Sequence, residues 1–86
     1  MAIPLLTVKV QTPQTILFQG RAQSVSSTNS LGEFDILPKH ANFITLIENK
    51  TIVVVTEDKK AQQFQFKEAI ILNNNNTVTI FAEPES

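Results

Sequence analysis

Along this chain apolar and polar side chains alternate one for one. In LLTVKV, Leu6, Val8 and Val10 fall on one side and Thr7 and Lys9 on the other. In QFQF, Phe64 and Phe66 oppose Gln63 and Gln65, and in TVTIF, Val78 and Ile80 oppose Thr77 and Thr79. A period of two is that of a strand, whose successive side chains point to opposite faces. No window of 11 residues carries a 3.6-residue stripe, so no amphipathic helix is expected. Two glycines and four prolines stand against an abundance of Val, Ile, Thr and Phe, residues that suit a pleated, half-buried surface.

Turn signals separate the runs. QTPQT (11–15) is a proline turn, SSTNSLG (26–32) a polar loop, and ENK (48–50) and EDKK (57–60) hairpin connections. NNNN (73–76) can supply left-handed turn conformations. These signals predict an all-β domain of about seven to nine short strands, a sandwich or flattened barrel.

Two places break the alternation. Phe18, Gly20 and Ala22 share one parity, but Val25 lies on the other. A strand buries both sets only by gaining a residue, which predicts a bulge near Gln23–Ser24; otherwise Ala22 faces out. Gly20 fits a position where a backbone or a bulky ring passes closely. FITLI and TIVVV are apolar on both faces, so either loops or a partner cover the outer side, or β-branched residues fill exposed positions by propensity.

Eighty-six residues leave room for one domain, residues 1–86, and one modest core. There are no cysteines, so packing and backbone ladders carry the fold. With a net charge of −1 and no basic stripe, nucleic acid is not an expected partner. No apolar run approaches the roughly 20 residues that cross a bilayer, and MAIPLLTVKV lacks the charged start of a signal peptide. A cytoplasmic protein, soluble or peripheral, is the default expectation. NKT (49–51) and NNT (75–77) then read as chance sequons in turns.

GEFDILPKHANF (32–43) holds the only histidine, His40. A metal site there could draw only on Glu33 and Asp35 besides His40. Those acids share strand parity and precede a proline, the layout of a solvated edge, so no metal or other cofactor is expected. The serines lie in a polar segment without a G-x-S-x-G elbow, and no glycine-rich phosphate loop occurs, so catalysis by this chain is not expected either.

VKVQTP (8–13), ILFQGRAQSV (16–25), LGEFDILPKHANFITLI (31–47) and TVTIFAE (77–83) together resemble the N-terminal β-domain of the epsilon subunit of rotary ATP synthases. The segment from Gly32 to Ala41 is the specific part. The resemblance implies a β-sandwich of about ten short strands and a non-catalytic rotor subunit that couples the gamma subunit to the membrane c-ring. It implies Thr12, His40 and Thr45 on the gamma side and Glu33 and Phe34 on the ring side. It also implies a peripheral position on the cytoplasmic face of the inner membrane, within the complex. This chain departs from the family pattern at Asp35, Lys39, Asn42, KEA (67–69) and ENK. Most bacterial relatives continue into a two-helix hairpin, whereas this sequence stops at EPES: coupling without self-inhibition by that route is the expectation if the chain is whole, and no such expectation follows if it is trimmed. The competing readings are a free-standing ligand- or carbohydrate-binding sandwich, which would lack the Trp and Tyr such sites favour, and a hydrolase.

Overall fold

The computed structural model describes residues 4–83, in which eight strands and no helix form. They are β1 (Leu6–Gln11), β2 (Ile16–Asn29), β3 (Gly32–Ile36), β4 (Phe43–Glu48), β5 (Thr51–Thr56), β6 (Ala61–Gln65), β7 (Glu68–Asn74) and β8 (Thr77–Glu83). One hydrogen-bonded sheet runs β4-β7-β8-β1-β2-β5-β6, with β3 also on β2. All pairs are antiparallel except β1–β8. Val25 and Ser26 pair with both β3 and β5, and Ala22 with both β1 and β5, so β1 and β3 follow one another along the same edge of β2. The resemblance implied about ten short strands; the described residues form eight, because β2 runs 14 residues without a break through both halves of the sheet.

The sheet curls so that alternate side chains of both halves meet in one cluster. Leu6, Val8 and Val10 of β1, Ile52 and Val54 of β5, and Val78 and Ile80 of β8 are all fully buried there, with Phe18, Phe34, Phe43 and Phe64 packed around them. Each burial removes apolar surface from water at roughly 25 cal/mol per Å², the main term holding a chain without disulfides or metals together. Ion pairs add little: among the described residues only Lys60 and Asp58 approach, at 3.9 Å and well exposed.

The phase break in β2 is resolved by a bulge. Ala22 pairs with Thr56 and Ser24 with Val55, so Gln23 is the extra residue. Ala22 and Val25 are both fully buried as a result, which rules out the alternative that Ala22 faces out. Gly20 sits beside an aromatic ring: a Cβ there would lie 3.4 Å from the Phe18 ring tip.

Two loop expectations are corrected. Residues 26–29 are not a polar loop but the end of β2, paired with Gly32–Asp35 in a hairpin. The buried hydroxyl among them finds a partner inside the sheet: Ser27 Oγ donates to the Thr51 carbonyl at 3.0 Å. ENK is not a hairpin either, because β4 pairs with β7 whereas β5 pairs with β2 and β6. Asn49, at φ 54°, instead turns the chain from one half of the sheet to the other. The β6–β7 link crosses back beside it, and the Asn49 N–H donates to the Lys67 carbonyl at 3.0 Å. A short connection thus marked a corner, where strand pairing decides and loop length does not.

The other turns follow their residues. Asn75 and Asn76 take φ of 51° and 62° at the β7–β8 hairpin. In the β5–β6 turn, Lys59 is left-handed and the Thr56 hydroxyl donates to Asp58, holding that carboxyl below its ordinary value.

Candidate functional site

His40 follows a turn built by Pro38. Lys39, where the family pattern has glycine, takes the left-handed φ of 68° that glycine adopts without penalty. Two bonds hold it there: the Lys39 N–H donates to Asn76 Oδ1 at 2.6 Å, and the His40 N–H donates to the Leu37 carbonyl at 3.0 Å. The buried Asn73 amide ties the next residues down by donating to the Ala41 carbonyl at 3.0 Å. His40 is exposed, with its ring 5.3 Å from that of Phe43. Its ring nitrogens make no hydrogen bond among the described residues, so both can meet a neighbour. Phe43 in turn meets Phe34 edge-on at 5.9 Å.

Glu33 and Phe34 therefore point different ways. Glu33 is exposed near the β2–β3 hairpin tip, whereas the Phe34 ring is half-buried against the core. At the tip itself Gly32 takes φ 124°, Asn29 Oδ1 accepts the Leu31 N–H at 2.9 Å, and Leu31 stands 95% exposed. Thr45 is half-buried on the inward parity of β4, where its Oγ1 accepts from Asn29 Nδ2 at 3.0 Å. Thr45 and His40 are thus brought to the same region as Glu33 and Phe34, through Asn29 and Phe43. Thr12 is not. It lies in the β1–β2 turn, where its hydroxyl accepts the N–H groups of Gln14 and Thr15.

Thr12 borders something else. The outer side of β4, β7 and β8 carries Ile44 and Leu46, Ile70 and Leu72, and Phe81, all at least one-third exposed. Register makes them contiguous: Ile44 opposes Leu72, Leu46 opposes Ile70, and Ile70 opposes Phe81. At one end of this face a groove of about 550 Å³ has Leu46, Ile70 and Phe81 as its floor and Gln11, Thr12 and Pro13 as its wall. A contiguous apolar surface of this kind on a small protein marks a place for a partner.

Sequence reasoning reached only part of this face. FITLI pointed to Ile44 and Leu46, while Ile70, Leu72 and Phe81 were missed. The signal for them was AIIL (69–72), apolar on both parities, and Phe81 on the parity of Thr77 and Thr79. Leu31 gave no periodic signal, being a single residue in a turn. The groove gathers no cation, and among the described residues no three His, Asp or Glu side chains form a metal-ligating group.

A family model described as ATP synthase, Delta/Epsilon chain, beta-sandwich domain matches residues 5–84. The ATP synthase epsilon chain of a Nitratiruptor species is 35% identical over 68 residues, 79% of this chain and 48% of that protein. The ATP synthase epsilon chain of Sulfurimonas denitrificans is 28% identical over 78 residues, 91% of this chain and 60% of that protein. The chain spans about half the length of the curated relatives it matches. Among solved structures, a chain of the Euglena gracilis mitochondrial ATP synthase (OSCP/F1/c-ring, rotational state 1) superposes with a TM-score of 0.84 at 16% identity. That match covers 95% of this chain and 53% of the other. A chain of the Tetrahymena thermophila mitochondrial ATP synthase central stalk/c-ring gives 0.68 at 17%, covering 90% of this chain and 62% of the other. At these identities the structural likeness is one of fold. The family match takes in all eight strands, and with it the chain belongs to the ATP synthase delta/epsilon β-sandwich family.

Proposed function

We propose that this chain is a non-catalytic rotor subunit of an ATP synthase. Its outer β4-β7-β8 face holds the gamma subunit, and its β2–β3 hairpin tip presses on the c-ring. The observation that carries the reading is the contiguous apolar face of Ile44, Leu46, Ile70, Leu72 and Phe81 on a member of this family. Side chains that gain by leaving water grip a stalk without needing directional bonds. Thr12 borders that grip. His40 and Thr45 stand outside that grip, His40 beyond the far end of the β4–β7 pair and Thr45 on the opposite side of β4, toward the β2–β3 hairpin. On the ring side Glu33 and the fully projecting Leu31 make the contact, and Phe34 serves by anchoring the hairpin to Phe43. A rigid sheet then transmits torque between the two, while bond making stays on other subunits. The working place is the cytoplasmic face of the membrane that holds the ring.

The test is co-purification with the gamma chain of the same organism. A stable heterodimer by size exclusion is expected, and a well-folded chain that fails to form one would defeat the proposal. Ile70→Asp should keep the circular dichroism spectrum, because Ile70 points outward, yet weaken gamma binding by about 100-fold. Glu33→Lys probes the other end. It should change unfolding free energy by no more than about 0.5 kcal/mol, being exposed and without an ion pair, while lowering ATP-driven proton pumping in the assembled complex. Unchanged pumping would remove Glu33 from the ring contact.

A further inference from the structure

The outer face of β4, β7 and β8 changes character along the strands. Leu46, Ile70 and Phe81 lie side by side in one row, and two residues further along Glu48, Glu68 and Glu83 lie side by side in the next. Glu48 is paired directly with Glu68, and Glu68 with Glu83. All three are exposed on the same parity as the apolar row, and Glu68 and Glu83 line the groove itself. Like charges placed directly opposite on neighbouring strands repel and weaken a sheet. None of the three forms an ion pair among the described residues, where Lys60 pairs with Asp58 on the β5–β6 turn; Lys50, which borders a separate pocket with Glu48, is the cation beside the end of the row. The row also does not reflect a generally acidic surface, because the chain has seven Lys and Arg against eight Asp and Glu. Three of those eight acids stand in this one row.

We propose that the row is one half of an ionic rim that orients whatever docks on the apolar face. The occupant is a protein surface that is apolar where it meets Leu46, Ile70 and Phe81 and carries lysine or arginine along the edge that meets the three glutamates. Such a surface relieves the repulsion between carboxylates and excludes water from the apolar row in the same act. It can sit only one way round. Turned end for end, it would leave its cations over Ile44 and Leu72 and its apolar part over three charges. The requirement for cations follows from this chain alone; that the occupant is the gamma subunit rests on the function proposed above.

Isothermal titration of the gamma chain into the complete chain, at low and high salt, tests the rim. Wild-type affinity should fall with salt. The triple variant Glu48→Gln, Glu68→Gln, Glu83→Gln should bind about tenfold more weakly at low salt and lose most of the salt dependence. Its own melting temperature should rise, since the repulsion is gone. The single variant Glu68→Gln, central in the row, gives the same reading in smaller measure if the triple variant folds poorly. If the glutamine variants bind like wild type while Ile70→Asp abolishes binding, the face is the docking site and the ionic rim is wrong. If neither change affects binding, both the rim and the face reading fail. A dimer of this chain that Ile70→Asp dissociates would assign the face to a second copy and overturn the inference.

Discussion

Ile80→Ala is expected to lower unfolding free energy by about 2–5 kcal/mol, the usual cost of emptying a fully buried branched side chain. Ile80 is fully buried in β8, between Val10 of β1 and Ile71 of β7, both also fully buried. The lost transfer energy adds to a cavity that three hydrogen-bonded strands cannot collapse, because their spacing is fixed by the ladder. A domain of this size holds on the order of 5–10 kcal/mol in all, so the variant should melt about 10–30 °C lower. Urea denaturation followed by circular dichroism measures it. A loss under about 1 kcal/mol would mean that the two halves of the sheet can slide to refill the site, and that the core is less tightly determined than the burial shows.

Deleting Gln23 together with Ser24 should be more damaging still, although Gln23→Ala should be nearly neutral. The Gln23 side chain makes one long hydrogen bond, from Nε2 to the Glu57 carbonyl at 3.4 Å. Its backbone, however, sets the phase of β2. Losing Gln23 alone would leave Ala22 and Val25 two positions apart and on one face. Losing both residues makes them neighbours, so either Ala22 or Val25 leaves the core, and in the second case Ser26 turns inward with a hydroxyl that has no partner there. The mismatch is shared by three neighbours, since β1, β3 and β5 all take their register from β2. We expect the deletion to abolish the cooperative transition and the alanine variant to stay within about 0.5 kcal/mol of wild type, by the same urea experiment. A deletion variant that folds cooperatively would show that β2 can be re-registered as a whole.

Those two variants mark how far local pattern reaches. The parity of Leu6, Val8 and Val10 and of Val78 and Ile80 is visible in six residues of sequence, because strand alternation is local. The bulge is visible too, as a clash of parities within one strand. The pairing of ENK is not. Its three residues look like any hairpin, and only the competition among β2, β6 and β7 for partners shows that β4 and β5 part company there. SSTNSLG was misread for a related reason: Ser27 is acceptable in a strand because the Thr51 carbonyl lies across from it, a contact 24 residues away.

The candidate site divides in the same way. The chain's resemblance to a rotor subunit was carried by Gly32–Ala41, and FITLI showed an apolar surplus needing a cover. The outer apolar face itself assembles Ile44 and Leu46 with Ile70, Leu72 and Phe81, from positions up to 37 apart whose registers had to be known to one residue. The same holds for Glu48, Glu68 and Glu83, which are scattered acids in the sequence and a single row in the sheet.

Sequence alone determined that this protein is made of strands, which side of most strands is buried, and where one strand must gain a residue, since each follows from alternation between near neighbours. Tertiary structure alone decided which strands lie together, and so which outward side chains share a surface. Outward residues carry no burial signal of their own, and strand register is set by the packing of the opposite face.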